Sequence, residues 1–324
     1  MSKTPKSISK LGRKVLSQGG SDKKLWLFGD SFLSEQPSGT PVEILQKQWF
    51  NQIGLMLHAD VYNTAVNGSS LEYLIMMLIQ NKDIMKPGDY AIFTLTEPTR
   101  KWFIYDRPDW GNLWMKGGYR QYPVKKVVEA IDSYKEHLTN EAGNLSLYYG
   151  ALGLINHICS FHGIKYCVLP CFAPHISLKY EEHGSNAWAA AGGHKITEIE
   201  HMGKMCKIRG NLTKISTEEF GDGDEAGNSK DEWTHIMQEK WRGCDQRLNH
   251  LTEHNHEFLA KKVYNCLIMG QDVDLTTGFK KAVINRDNFR DINPNNIYNH
   301  AYSMVEIDDD YEYTKKYNKK FKLF

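Results

Sequence analysis

Leu25-Trp26-Leu27-Phe28-Gly29-Asp30-Ser31-Phe32 decides how the chain is read. Four large apolar residues in a row, preceded by the polar Ser21-Asp22-Lys23-Lys24, predict a short strand buried on both faces, as the central strands of a parallel sheet are. The run stops at Gly29, where a sharp turn can form, and Asp30 and Ser31 then stand at the C-terminal edge of the strand. Open α/β sheets place their sites at that edge. Ser31 is therefore a candidate nucleophile; a Ser that merely caps the next segment is the competing explanation, since Asp and Ser are common turn and cap residues.

Outward from this strand the pattern alternates. Val42, Leu45, Trp49, Ile53, Leu55 and Leu57 predict one amphipathic helix over 42–57, and Ala59 to Ser70 a strand that ends in a small-residue turn. Leu71, Leu74, Ile75, Leu78 and Ile79 predict a second helix, Pro87-Gly88-Asp89 a break, and Tyr90 to Leu95 a third strand. Helices are expected over Val124–Leu138 and Leu145–Phe161, a strand over Lys165–Pro170 and a last long helix over Thr252–Met269. Strands alternating with helices in this way imply an α/β fold, a parallel sheet with right-handed crossovers.

Between these elements lie less regular stretches. Pro98 to Pro123 carries Arg100, Trp102, Phe103, Tyr105, Arg107, Trp110, Trp114, Tyr119 and Arg120. Flat rings and forked guanidinium donors suit a sugar or another planar ligand, or equally a loop packing its own aromatics over the sheet edge. Residues 172–241 have weak periodicity and read as an insertion or lid. Their histidines, among them His175, His183, His194 and His201, are too irregularly spaced for zinc, so no metal and no cofactor is expected. Residues 1–23 read as a basic flexible arm, or a docking peptide that orders on a larger assembly; 24–268 form the main domain and 269–324 a polar extension.

The 324 residues include 41% hydrophobic and 24% charged ones, ordinary for a globular protein, and the net charge of +1 gives no general attraction to nucleic acid. Six cysteines without a Cys-x-x-Cys pair read as buried free thiols in a reducing compartment. No apolar run is long enough for a membrane span, and the basic start lacks the apolar segment of a secretory signal. The expected location is the cytoplasm of the producing cell.

A second informative stretch is Asp245-Gln246-Arg247-Leu248-Asn249-His250-Leu251-Thr252-Glu253. Thr252 can cap the last helix, which leaves His250 on the incoming loop with Asp245 upstream. Histidine has a proton affinity near neutrality and could serve a serine on the first strand as general base; a solvated polar junction is the plainer explanation.

Gly29-Asp30-Ser31 after the first strand, Asn63 to Gly68 after the second, and His250-Leu251-Thr252 with His256 before an apolar helix resemble blocks of the SGNH/GDSL hydrolases. That resemblance covers roughly residues 24–268 and implies a flavodoxin-like three-layer fold and hydrolysis of esters, often acetyl or acyl groups on carbohydrates. It implies Ser31 as nucleophile, His250 as base and Asp245 as its partner. The backbone N–H groups of Ser31 and Gly68 would join an oxyanion hole. The family's third block, Gly-x-Asn-Asp, falls on Thr96-Glu97-Pro98-Thr99, so Thr96 is expected where Asn normally donates. Asp30, Asn67, Arg100 and Trp102 are expected at the substrate. The family's Asp stands three residues before its His; that position is Arg247 here, and Asp245 lies five before. The altered third block and the Arg-x-Asn-His-Leu form look more like phage-encoded members, which implies a virion or tail protein acting on host glycans. Three functions follow: a serine esterase, a catalytically inactive SGNH-like module for glycan binding or virion assembly, and a phosphate-binding doubly wound protein. The third is disfavoured because no Gly-rich phosphate loop is present.

Overall fold

The computed structural model describes residues 13–16, 21–34, 42–103, 123–171, 198–201, 204–212, 215, 248–251, 253–279, 282–283 and 305–306. In chain order these form β1 (Arg13–Leu16), β2 (Lys24–Phe28), α1 (Val42–Lys47), α2 (Trp49–Leu57), β3 (Asp60–Asn63), α3 (Leu71–Asn81), β4 (Tyr90–Leu95), α4 (Lys125–His137), α5 (Glu141–Phe161) and β5 (Lys165–Pro170). They continue with β6 (Glu198–His201), β7 (Lys204–Arg209), α6 (Glu253–Met269), β8 (Val273–Asp274), β9 (Ala282–Val283) and β10 (Val305–Glu306).

Side chains of β2 alternate between two cores, which explains its uninterrupted apolar run. Leu25 and Leu27 pack with Trp49, Phe50 and Ile53 of α2 and Leu259, Val263 and Leu267 of α6. Trp26 and Phe28 pack with Leu71, Leu74 and Leu78 of α3 and Tyr148, Ile155 and Ile158 of α5. Trp26 is fully buried because its indole N–H donates to Asp89 Oδ2 at 3.0 Å. The main sheet runs β1-β3-β2-β4-β5, with β3, β2, β4 and β5 parallel to one another. This is a three-layer α/β/α fold with a central parallel sheet and flavodoxin-like strand order; the repeated β-α pattern predicts the parallel sheet, and the resemblance implies the layering.

The chain moves from β2 to β3 on one side and then returns to β4 on the other. The order reverses between β2 and β4, and sites of open α/β sheets form at the C-terminal ends of the strands at such a point. The turn carrying Ser31 leaves β2 at that place.

Several strands are absent from the sequence pattern. Arg13–Leu16, within the basic arm, pairs antiparallel with β3 and covers its outer edge. β7, within residues 172–241, pairs with β6 and, in parallel, with β8; Ile208, Leu212 and Ile215 from this region are buried in the α2/α6 core. Val273 and Leu275, past α6, are buried in the same core. The remainder of 172–241, most of the aromatic stretch, and nearly all residues beyond 279 lie outside the described residues.

One expectation is corrected. Residues 42–57 form two helices, because Gln48 adopts an extended conformation (φ −63°, ψ 134°) between α1 and α2. The first amide of α2 is capped from afar: Trp49 N–H donates to His256 Nδ1 of α6 at 3.2 Å. The last-helix and α5 predictions hold to within a few residues, α5 starting earlier at Glu141, where Asn140 Oδ1 accepts from Gly143 N–H at 2.7 Å.

Among the described residues Cys159, Cys167, Cys171 and Cys266 are free and buried. No group of acidic, His or Cys side chains there could hold a metal ion, and no helix among the described residues is long and apolar enough to cross a membrane.

The turn after β8 makes one pH prediction. Burial alone would lift the Asp274 carboxyl. Hydrogen bonds from the Thr276 amide and hydroxyl and the Thr277 hydroxyl, with the Lys262 charge, outweigh it and leave the group below the usual carboxylate range. A carboxyl lowered on folding contributes stability that is complete above its unfolded pKa and disappears as pH falls through the folded one. Asp274→Asn therefore shows a smaller decline in denaturant midpoint than the wild type between neutral pH and roughly pH 2 to 3. Equal declines in both proteins would contradict this.

Candidate active site

The turn after β2 is set by contacts to two neighbouring strands. Gly29 O accepts from Val66 N–H at 3.1 Å and Ser69 Oγ at 2.9 Å, both from the turn after β3. On the other side a Cβ at Gly29 would overlap Thr94 Oγ1 of β4. Only glycine lets the chain pass so close. Gly29→Ala is expected to lower the free energy of unfolding by about 1–3 kcal/mol, measured by urea denaturation; an unchanged midpoint with an unchanged slope would refute the close approach.

Asp30 has no exposed surface. Its Oδ1 accepts from Phe32 N–H at 3.2 Å, Cys171 Sγ at 3.2 Å and Thr94 Oγ1 at 3.5 Å, and its Oδ2 meets Arg100 Nη1 at 3.3 Å. Arg100 is 6% exposed and also meets the Glu97 carboxylate at 3.3 Å, which accepts in turn from Thr99 Oγ1 at 3.2 Å. Burial, reinforced by the Asp30 charge, pushes the Cys171 thiol well above its ordinary range, so the thiol keeps its proton and donates. Asp30 and Arg100, both expected at the substrate, thus form a buried ion pair beneath the turn. Asp30, Phe32, Leu33 and Ser34 are buried and Ser31 alone of this run is partly exposed.

Around this turn the other expected residues take distinct places. Gly68 has a left-handed backbone (φ 70°) in the turn after β3. Asn67 beside it is exposed and its Oδ1 accepts from Ser34 Oγ. Thr96, next after β4, is 2% exposed, and its hydroxyl has no hydrogen-bond partner among the described residues. Trp102 is half-buried with its ring edge-on to Tyr73 at 5.4 Å, on the α3 face. Next to it the Lys101 ammonium faces Glu72 at 3.8 Å; burial lowers its pKa and the Glu72 charge partly restores it.

The loop ahead of α6 reaches the same turn. Leu248–His250 form a single tight turn, and Leu251 is fully buried in the α2/α6 core. Asn249 Nδ2 donates to Ser31 O at 2.9 Å and Ser34 O at 3.2 Å, while the His250 ring lies 4.9 Å from the Phe32 ring, centroid to centroid. Residues next to Ser31 and next to His250 are therefore in direct contact, although 218 positions separate Asn249 from Ser31. Asp245 lies outside the described residues.

No family model matches this chain, and no curated protein does. Among solved structures, a protein assigned to the lipolytic G-D-S-L family of Desulfitobacterium hafniense DCB-2 is similar over 53% of this chain and 75% of its own, with 14% identity and a TM-score of 0.25.

Sequence reasoning misses several residues that shape this place. Gln48 is fully buried and donates from Nε2 to Asn249 Oδ1 at 2.9 Å. Trp49 donates from its indole to Phe32 O at 3.0 Å, tying α2 to the turn. Cys171 supplies a donor to Asp30. A polar Gln-Trp pair inside an apolar stripe, and an Asn directly before a candidate His, are the traces these residues leave in the sequence; neither names its partner.

Proposed function

We propose that this chain is a serine esterase of SGNH type that removes acetyl or acyl groups from a carbohydrate and acts as a phage virion or tail component. The observation that carries the esterase reading is the meeting of the two segments: Asn249 binds the carbonyl of Ser31 while the neighbouring His250 ring lies against Phe32. The carbohydrate and the virion enter from the sequence resemblance.

In this reading Ser31 Oγ attacks the ester carbonyl carbon as His250 takes its proton. The carbonyl π electrons move to oxygen, and the backbone N–H groups of Ser31 and Gly68 with the Thr96 hydroxyl stabilise that charge. The tetrahedral intermediate collapses, the C–O bond to the alcohol breaks, and the histidinium returns the proton to the leaving oxygen. Water then attacks the acyl carbon as His250 takes its proton, the bond to Ser31 Oγ breaks to release the acid, and the histidinium returns the proton to that oxygen. Asp245 orients the imidazole.

The second reading, a catalytically inactive module for glycan binding or virion assembly, is favoured by the third block. Where the family carries Gly-x-Asn-Asp, Glu97 is held by Arg100 and Thr99.

A fluorophosphonate probe separates the two. Mass spectrometry is expected to find one adduct, on the peptide holding Ser31, in the wild type and none in His250→Ala. An unlabelled wild type that also fails to hydrolyse p-nitrophenyl acetate would favour the inactive module.

A further inference from the structure

Asn249 is 3% exposed and uses both ends of its amide. Its Nδ2 donates to the carbonyls of Ser31 and Ser34, and its Oδ1 accepts from Gln48 Nε2. Gln48 Oε1 in turn accepts from Asn51 Nδ2 at 2.9 Å, and that same nitrogen donates to Leu45 O at 2.8 Å. The three amides form a row with one sense of donation, from α2 through Gln48 to the Ser31 turn. Reversing Asn249 would set its oxygen against two carbonyls and its NH2 against that of Gln48, so the row fixes which way the amide points.

The backbone here is unusual. Asn249 (φ 48°, ψ 30°) and His250 (φ 63°) are both left-handed, two in succession. Asn and His enter that region more readily than most residues, yet two in succession are uncommon outside glycine. Conformations of this kind persist where surrounding contacts hold them. The Asn249 amide, anchored on Gln48 at the start of α2 behind and on the Ser31 turn in front, is one such contact, and Leu251 buried in the core fixes the far side.

We infer that Asn249 is a positioning residue: through the Asn51–Gln48–Asn249 row it holds the His250 imidazole against the Ser31 turn. The inference rests on the reading of Ser31 and His250 as nucleophile and base, and assigns their alignment to an amide that touches neither reacting atom. The Phe32 ring offers a direct gauge. At 4.9 Å it displaces the His250 ring-proton resonances, so their position reports where the imidazole sits whether or not the protein turns over substrate.

Asn249→Gly is the informative variant, because glycine accepts the left-handed backbone freely and only the amide is lost. With resonances assigned by comparison with His250→Gln, the His250 Cε1 proton is expected to move toward the position of a solvent-exposed histidine. For p-nitrophenyl acetate, kcat falls roughly 100-fold, the usual consequence of a misplaced catalytic group, while KM stays within about twofold. Gln48→Met, which removes the donor to Asn249, gives a smaller change of the same sign and serves if the glycine variant does not fold. An unmoved His250 resonance in a folded variant, or a change confined to KM, overturns the inference. A wild type without Ser31-dependent turnover, whose His250 resonance still moves in Asn249→Gly, sinks the esterase reading and upholds the amide's hold on the histidine.

Discussion

Ser31→Ala is expected to lower p-nitrophenyl acetate turnover on the order of 10⁴-fold or more, to what an oxyanion hole and binding alone supply. In the proposed esterase the serine oxygen forms the covalent bond, so no other group replaces it. His250→Ala is expected to lose on the order of 10²- to 10⁴-fold, since the base enters each proton transfer. Asp245→Ala loses no more than His250→Ala, because a carboxylate that orients an imidazole acts only through it. The double variant Ser31→Ala/His250→Ala should be no slower than Ser31→Ala alone, as residues that work as one unit are not additive. Turnover that survives Ser31→Ala in the purified protein, or a clearly larger loss at Asp245 than at His250 with both variants folded, would end the assignment of roles.

Arg100→Met carries the largest effect on stability. Arg100 and Asp30 are 7% and 0% exposed at their side chains, and the pair lies under the turn that presents Ser31. Removing the guanidinium leaves a buried carboxylate facing Cys171, Thr94 and the Phe32 amide, donors that satisfy its hydrogen bonds without balancing its charge. Breaking one side of such a pair costs about 3–5 kcal/mol. The cause is the uncompensated charge, so Asp30→Asn added to Arg100→Met should recover a large part of the loss. Urea unfolding of the wild type, both single variants and the double variant measures this cycle. A double variant as unstable as the sum of the two singles would mean that the residues act independently and that the ion pair contributes nothing of its own.

The parallel strands were legible because burial on both faces leaves a continuous apolar run. Lys24–Phe28, Tyr90–Leu95 and Lys165–Pro170 are all strands of the central sheet. The break between α1 and α2 was not. Val42, Leu45, Trp49 and Ile53 keep helical spacing straight across it, while the groups that stabilise the extended Gln48 come from Asn249 and His256, about two hundred residues on. Arg13–Leu16 was hidden for a related reason: an edge strand with one neighbour needs no apolar run, and its partner β3 lies far along the chain. Ser31 and His250 stood out as residue types at a strand end and a helix entrance. Arg100 stood out too, as a forked donor in an aromatic stretch, yet a guanidinium that suits a ligand suits a buried carboxylate equally well. Only the fold, which brings Asp30 to within 3.3 Å across 70 positions, distinguishes the two. Asn249 belongs with these cases, since an asparagine at a turn carries no mark of what its amide will hold.

The antiparallel ribbon at Arg13–Leu16 has a practical meaning for handling the protein. It satisfies backbone donors and acceptors along one side of β3 that would otherwise offer a template to a second chain. Trimming the polypeptide back to Ser21 to discard its lysine-rich leader strips away that guard, and molecules shortened there gain a route to stick together through exposed peptide groups.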